Sequence, residues 1–324
     1  MRPDRRALVC AAFGALALAA CRDEPTAPAI LPPRHASFAV ANMDEAGVSD
    51  YLASANLAAA KRGVVITRAE LLITAEAPAK TPRLIFANDR TLRLPTQWVP
   101  RDLRRLSTDA TLSYVVFSPL AISATGGPAE AAFDASIATW NGVSCSNLVV
   151  RKRTPSPALP PSFILFGLFP PADINDVGFV PGGVFDAVFG AGASQFTVAV
   201  TITFAFIQVG PNGQPILDPN GNPIPTDINR DGRFDTAFKE IWFNDALAYS
   251  TVGAPGRIDI QTAALHEHGH AVELGHFGKI VGDPKTGKLL VSPRAVMNAV
   301  LLGTLRTPLG SDNAGICGNF GSWQ

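Results

Sequence analysis

The chain has 324 residues, of which 47% are hydrophobic and 17% charged, with 27 basic and 27 acidic side chains and a formal net charge of zero. That length suits one sizeable domain with appendages. The lack of a basic excess argues against a nucleic-acid or anionic-surface partner.

At the N-terminus, Arg2, Arg5 and Arg6 precede an apolar run over 7–20 that is too short to span a bilayer and suits a signal-peptide core. The run ends in Leu18-Ala19-Ala20-Cys21, which resembles the lipobox of bacterial lipoproteins. That resemblance implies removal of 1–20, a lipid on Cys21, and membrane attachment through this anchor only. Arg22 after the cysteine points, by analogy with sorting in Gram-negative bacteria, to the outer membrane. An ordinary secretory signal with a chance cysteine is the alternative. With Cys10 lost and Cys21 lipidated, Cys145 and Cys317 remain and are expected to pair after export. On the chain-entropy account, closing so long a loop restricts the unfolded chain by roughly 5 kcal/mol.

Residues 21–42, rich in Pro and Ala, read as a tether. Residues 43–61 then read as a helix and 64–74 as a strand-like segment. The stretch 43–104 is either a small N-terminal subdomain or a propeptide, and no cysteine between Arg22 and Asn141 is available to cap a metal. Prolines at 95 and 100 suggest a boundary, with the main domain over 105–324. A strand is predicted over 111–118, a helix over 129–140 behind Gly126-Gly127-Pro128, and a second strand over 147–152, with Trp140 as a core plug. The Pro/Gly-rich region 153–226 contains strand-like segments at 163–169 and 197–208. Alternation of Thr201, Thr203 and Ala205 with Ile202, Phe204 and Phe206 predicts one buried face in the latter. A strand at 240–244 and a mostly buried helix entered from 258–261 come next.

Two motifs carry chemistry. Asp227, Asn229, Asp231 and Asp235 stand at positions 1, 3, 5 and 9 of an EF-hand-like loop, with Arg233 at the backbone-carbonyl position and Gly232 at the turn. Position 12 is Phe238, and Glu240 comes two residues late, so Ca2+ binding competes with a solvated turn held by Asx hydrogen bonds. The second motif, His266-Glu-His-Gly-His-Ala-Val-Glu-Leu-Gly-His276, holds four of the five histidines. His266 and His270, four apart, project from one helix face as two ligands of one ion. Glu267 lies on the neighbouring flank, within reach of an attacking water, and His276 completes the set if the chain doubles back. His268 points away and reads as a partner-packed polar residue.

The pattern His266-Glu267-x-x-His270-x5-His276 resembles the zinc signature of the metzincins, and its surroundings resemble the matrixin branch. Ala295-Val296-Met297-Asn298 resembles that family's Met-turn, and the segment from Arg306 to Ile316 resembles the family's stretch beyond that turn. The resemblance implies an α+β, zincin-like domain, with a mixed twisted sheet, an active-site helix and a Met-turn at Met297. It further implies a monomeric Zn2+ endopeptidase in which His266, His270 and His276 hold the ion, Glu267 is the general base, and a protein or peptide substrate adds as a strand near 240–244. This sequence departs from the family in two ways. Glu273 stands where the family has a glycine in the left-handed conformation, at a cost of roughly 1 kcal/mol. Gly275 is an alternative site for the reversal, and on an unbroken helix Glu273 would be a rival metal ligand. The few residues after Met297 also imply a short or missing C-terminal helix. The rival functions are a catalytically inactive, surface-anchored metal-binding or adhesion lipoprotein and a zinc hydrolase of non-peptide amides.

Overall fold

The computed structural model describes residues 50–77, 94–154, 157–283 and 285–324. The signal segment, Cys21 and the tether lie outside the described residues. The fold is mixed α/β around one eight-stranded sheet with both parallel and antiparallel pairs.

After α1 (Asp50–Ala60) come β1 (Val64–Thr74), β2 (Thr96–Gln97) and β3 (Leu112–Val116). A short ribbon, β4 (Ile122–Ser123) with β5 (Gly127–Pro128), leads into α2 (Glu130–Asn141) and β6 (Val150–Lys152). Next are α3 (Phe163–Phe166), β7 (Ile174–Val180), α4 (Gly182–Phe189), β8 (Thr197–Phe206) and β9 (Phe234–Asn244). The pair β10 (Tyr249–Ser250) and β11 (Ile258–Asp259) opens into α5 (Ile260–Ala271). The hairpin β12 (Lys279–Gly282) and β13 (Leu289–Ser292) precedes β14 (Val300–Leu301) and α6 (Gly310–Phe320).

The main sheet runs β14-β1-β8-β9-β7-β3-β6, with β2 paired to β9 off this path. Strands β6, β3, β7 and β9 are parallel neighbours, whereas β8 is antiparallel to both β9 and β1. Alternation along β9 explains how one sheet serves two cores. Ile241 and Phe243 pack with α2 and α5 through Phe133, Trp140 and Leu265. Phe238 and Trp242 face the opposite side, with α1, α3 and α4. The segment 50–77 therefore shares its sheet and its second core with the rest of the chain.

Four expectations change. The apolar run at 163–169 forms a one-turn helix, because Ser162 caps Leu165 N and Gly167 closes the turn in the left-handed region. Both faces of β8 are buried, since α5 covers the threonine face while the second core takes Val200, Ile202 and Phe204. The strand over 240–244 is interior, with β7 on one side and β8 on the other, so it has no open edge for a substrate strand. A C-terminal helix of 11 residues is present as α6. Cys317 on α6 is disulfide-bonded to Cys145 after α2, with Cα atoms 5.3 Å apart, as the cysteine count implied. Trp140 is buried and donates its indole N–H to Leu265 O at 2.9 Å.

Candidate metal centre

Helix α5 begins where Asp259 accepts from Thr262 N at 2.9 Å and Arg306 braces the Asp259 carboxylate. Two turns later it presents His266 and His270 on one face, with Nε2 atoms 3.0 Å apart. His276 returns so that its Nε2 lies 3.1 Å from that of His270. These separations are near the roughly 3.3 Å expected between ligands on a tetrahedral ion with bonds of about 2.0–2.1 Å. Among the described residues this is the only group of three or more His, Cys, Asp or Glu side chains close enough to share an ion.

Each ring is oriented from its far side. His266 Nδ1 lies 2.7 Å from Val296 O and His270 Nδ1 2.7 Å from Leu274 O, positions that fix the Nδ1–H tautomer and aim Nε2 at the centre. The Glu70 carboxylate lies 3.0 Å from His276 Nδ1. Burial, together with the neighbouring imidazoles, pulls His266 down to about 3 and His270 well below its usual range, so both are neutral donors at physiological pH. Three imidazole nitrogens suit Zn2+, Cu2+, Fe2+ or Ni2+.

Glu267 is fully buried beside the triad. Its Oε2 accepts from Thr201 Oγ1 of β8 at 2.6 Å, while Oε1 has no partner. Burial pushes this carboxyl well above the usual range, with the charge of Asp176 adding to the effect. An orphaned, buried carboxylate oxygen on the helix turn that carries His266 and His270 fits an ion and its water, because a buried polar atom is otherwise hydrogen-bonded.

The reversal that delivers His276 occurs at Glu273 itself, whose φ is +62°; Gly275 is not in the left-handed region. The Glu273 side chain points away from the triad. Its carboxylate receives Lys239 Nζ at 2.9 Å, Thr96 Oγ1 at 2.8 Å and Thr236 Oγ1 at 2.5 Å, which removes it as a rival ligand. Burial draws the Lys239 ammonium below its ordinary pKa, opposed by Glu273, and Lys239 also donates to His270 O at 2.6 Å.

Met297 is buried beneath the centre. A Cβ on Gly269, between the two helical histidines, would collide with its sulfur, so the methionine packs against bare helix backbone. Asp312 on α6 accepts from Val296 N at 2.9 Å and Met297 N at 3.1 Å and so fixes the turn that orients His266. His268 lies between Ser136 and Asp176, 3.0 Å from the latter, away from the ion site. Sequence reasoning gave Glu70, Thr201 and Asp312 no part in the metal centre. A lone acid inside the apolar run of β1 was the available signal for the first.

The acidic loop at 227–235 is built differently. Asp227 accepts from Asp231 N and Gly232 N, Asp231 accepts from Arg233 N, and Asn229 donates to Asp231. Asp235 turns inward to Arg104 at 2.8 Å, and the Arg233 side chain reaches Gln97 and Asn319. Glu240 is buried, accepting from Ser162 Oγ at 2.7 Å and from Phe163 N, and is unavailable as a late ligand. The chain matches no family model and no curated protein.

Proposed function

We propose that the chain is a zinc-dependent endopeptidase of the metzincin type, matrixin-like, acting on protein or peptide substrates. One observation carries the reading: three buried imidazoles converge through Nε2, and the glutamate next to His266 on the same helix has one oxygen anchored and the other unpartnered. His266, His270 and His276 would hold the ion, which supplies Lewis acidity toward water and the scissile carbonyl. Glu267 takes a proton from the attacking water and returns it to the leaving amine. Burial makes its ionised form a stronger base, and Thr201 holds it in place. The lipobox-like segment supports an exported, lipid-anchored form as part of the same proposal.

The complete burial of the triad favours a second reading, an inactive metal-binding lipoprotein. Glu267→Gln separates the two. For the peptidase, zinc content stays at the parental level while chelator-sensitive casein cleavage disappears. Equal cleavage by the variant overturns the assigned role, and zinc-loaded parent protein that never cleaves casein or gelatin supports the inactive reading.

A further inference from the structure

An endopeptidase must admit an extended chain to its metal, yet His266, His270, His276 and Glu267 are each at most 2% exposed. Strand β1 contributes to that closure. It runs antiparallel to β8 from Val64 opposite Phe206 to Ile73 opposite Thr197, and parallel to β14, the segment just after the Met297 turn. It therefore fills the position between β8 and β14, where an added strand would satisfy the edge of β8 and pass over α5.

The side chains of β1 are placed accordingly. Glu70 pairs across the ladder with Thr201, the residue that anchors Glu267, and its carboxylate reaches His276 Nδ1. Two residues on, on the same face, Leu72 lines a pocket with His266, Val296, Val300 and Leu305. Irregularities in the ladder bracket this part, one between Ile66 and Arg68 and one between Leu72 and Ile73. Such bulges re-aim side chains and interrupt pairing beside functional sites.

We infer that β1 is an internal occupant of the substrate-strand position, with Glu70 against the outer nitrogen of His276 and Leu72 in the wall of the adjoining pocket, so that the folded chain is latent until β1 is displaced by an extended peptide. This rests on the peptidase reading above. It also specifies the competing ligand: an extended backbone with an aliphatic side chain to take the place of Leu72 against His266 and Val296.

The test uses the full zinc-loaded chain and a leucine-bearing peptide hydroxamate as probe. Hydrogen exchange is followed at amides 66–73, and binding is compared in an Ala69→Cys/Ile202→Cys variant, oxidised to tie β1 to β8 and then reduced; these positions are paired in the ladder. The wild-type chain is carried through the same reductant, and zinc content reports folding. Expected are loss of protection at 66–73 by about tenfold or more on probe binding, and weaker binding by about tenfold or more in the oxidised variant than in the reduced one. Probe binding that leaves protection unchanged, with equal affinity for both forms of the variant, overturns the inference and leaves the peptidase reading intact. A zinc-loaded chain that binds no probe in any form removes both.

Discussion

Glu273→Gly sets two effects of opposite sign against each other. Glycine relieves the left-handed strain at φ +62°, a gain of about 1 kcal/mol that its larger unfolded-state entropy partly cancels. The same change leaves Lys239 buried without its carboxylate, a loss of about 3–5 kcal/mol. It also strips Thr96 and Thr236 of their acceptor, at about 1 kcal/mol each. Destabilisation by roughly 4–6 kcal/mol is expected in urea unfolding of the metal-free protein, along with weaker metal binding by about tenfold, because the turn delivers His276. Adding Lys239→Met should recover much of the loss, which a double-mutant cycle reads as strong coupling. A single variant as stable as the parent would refute the assignment of this turn to the ion pair.

Three further outcomes are expected. Cys145→Ser/Cys317→Ser should lower stability by about 2–5 kcal/mol in thermal unfolding, and the unreduced, denatured mature protein should titrate no free thiol. Asp312→Ala should cost at least about 3 kcal/mol and weaken metal binding, since it leaves the Val296, Met297 and Leu309 amides without their acceptor. Glu240, pushed up to about 7 by burial, retains its proton in the folded state at pH values where the unfolded chain has released it. Its contribution is full below about pH 4.5 and declines by about 1.4 kcal/mol per unit toward pH 7, so the stability of Glu240→Gln relative to the parent should rise across that window and level off above it; a flat difference would sink the argument.

The parts legible in the sequence were those set by local periodicity. His266, Glu267 and His270 acquire their relation from the helix repeat alone, and the pairing of Cys145 with Cys317 came from counting. Long-range neighbours decided the rest. Nothing within 240–244 reports whether the strand lies at an edge or in the interior; β8 and β7 settle that from elsewhere in the chain. Helix α6 is rich in Gly and Asn, poor helix formers, and the disulfide and the bonds of Asp312 tie it to the domain. The run at 163–166 is too short for either period to show, and its cap at Ser162 outweighed its apolar character.

Four glutamates are buried among the described residues, and burial alone does not distinguish them. Glu240 accepts from Ser162 and Phe163, Glu273 is held by Lys239 and two threonines, and Glu70 lies between Arg68 and His276. Each has charged or hydrogen-bonding neighbours that offset its desolvation. Glu267 alone among them keeps a buried oxygen with no protein partner, and it is the one that adjoins His266 on α5. That unpartnered oxygen, on the helix that carries His266 and His270, is what makes Glu267 the residue for the proposed peptidase to use as its base.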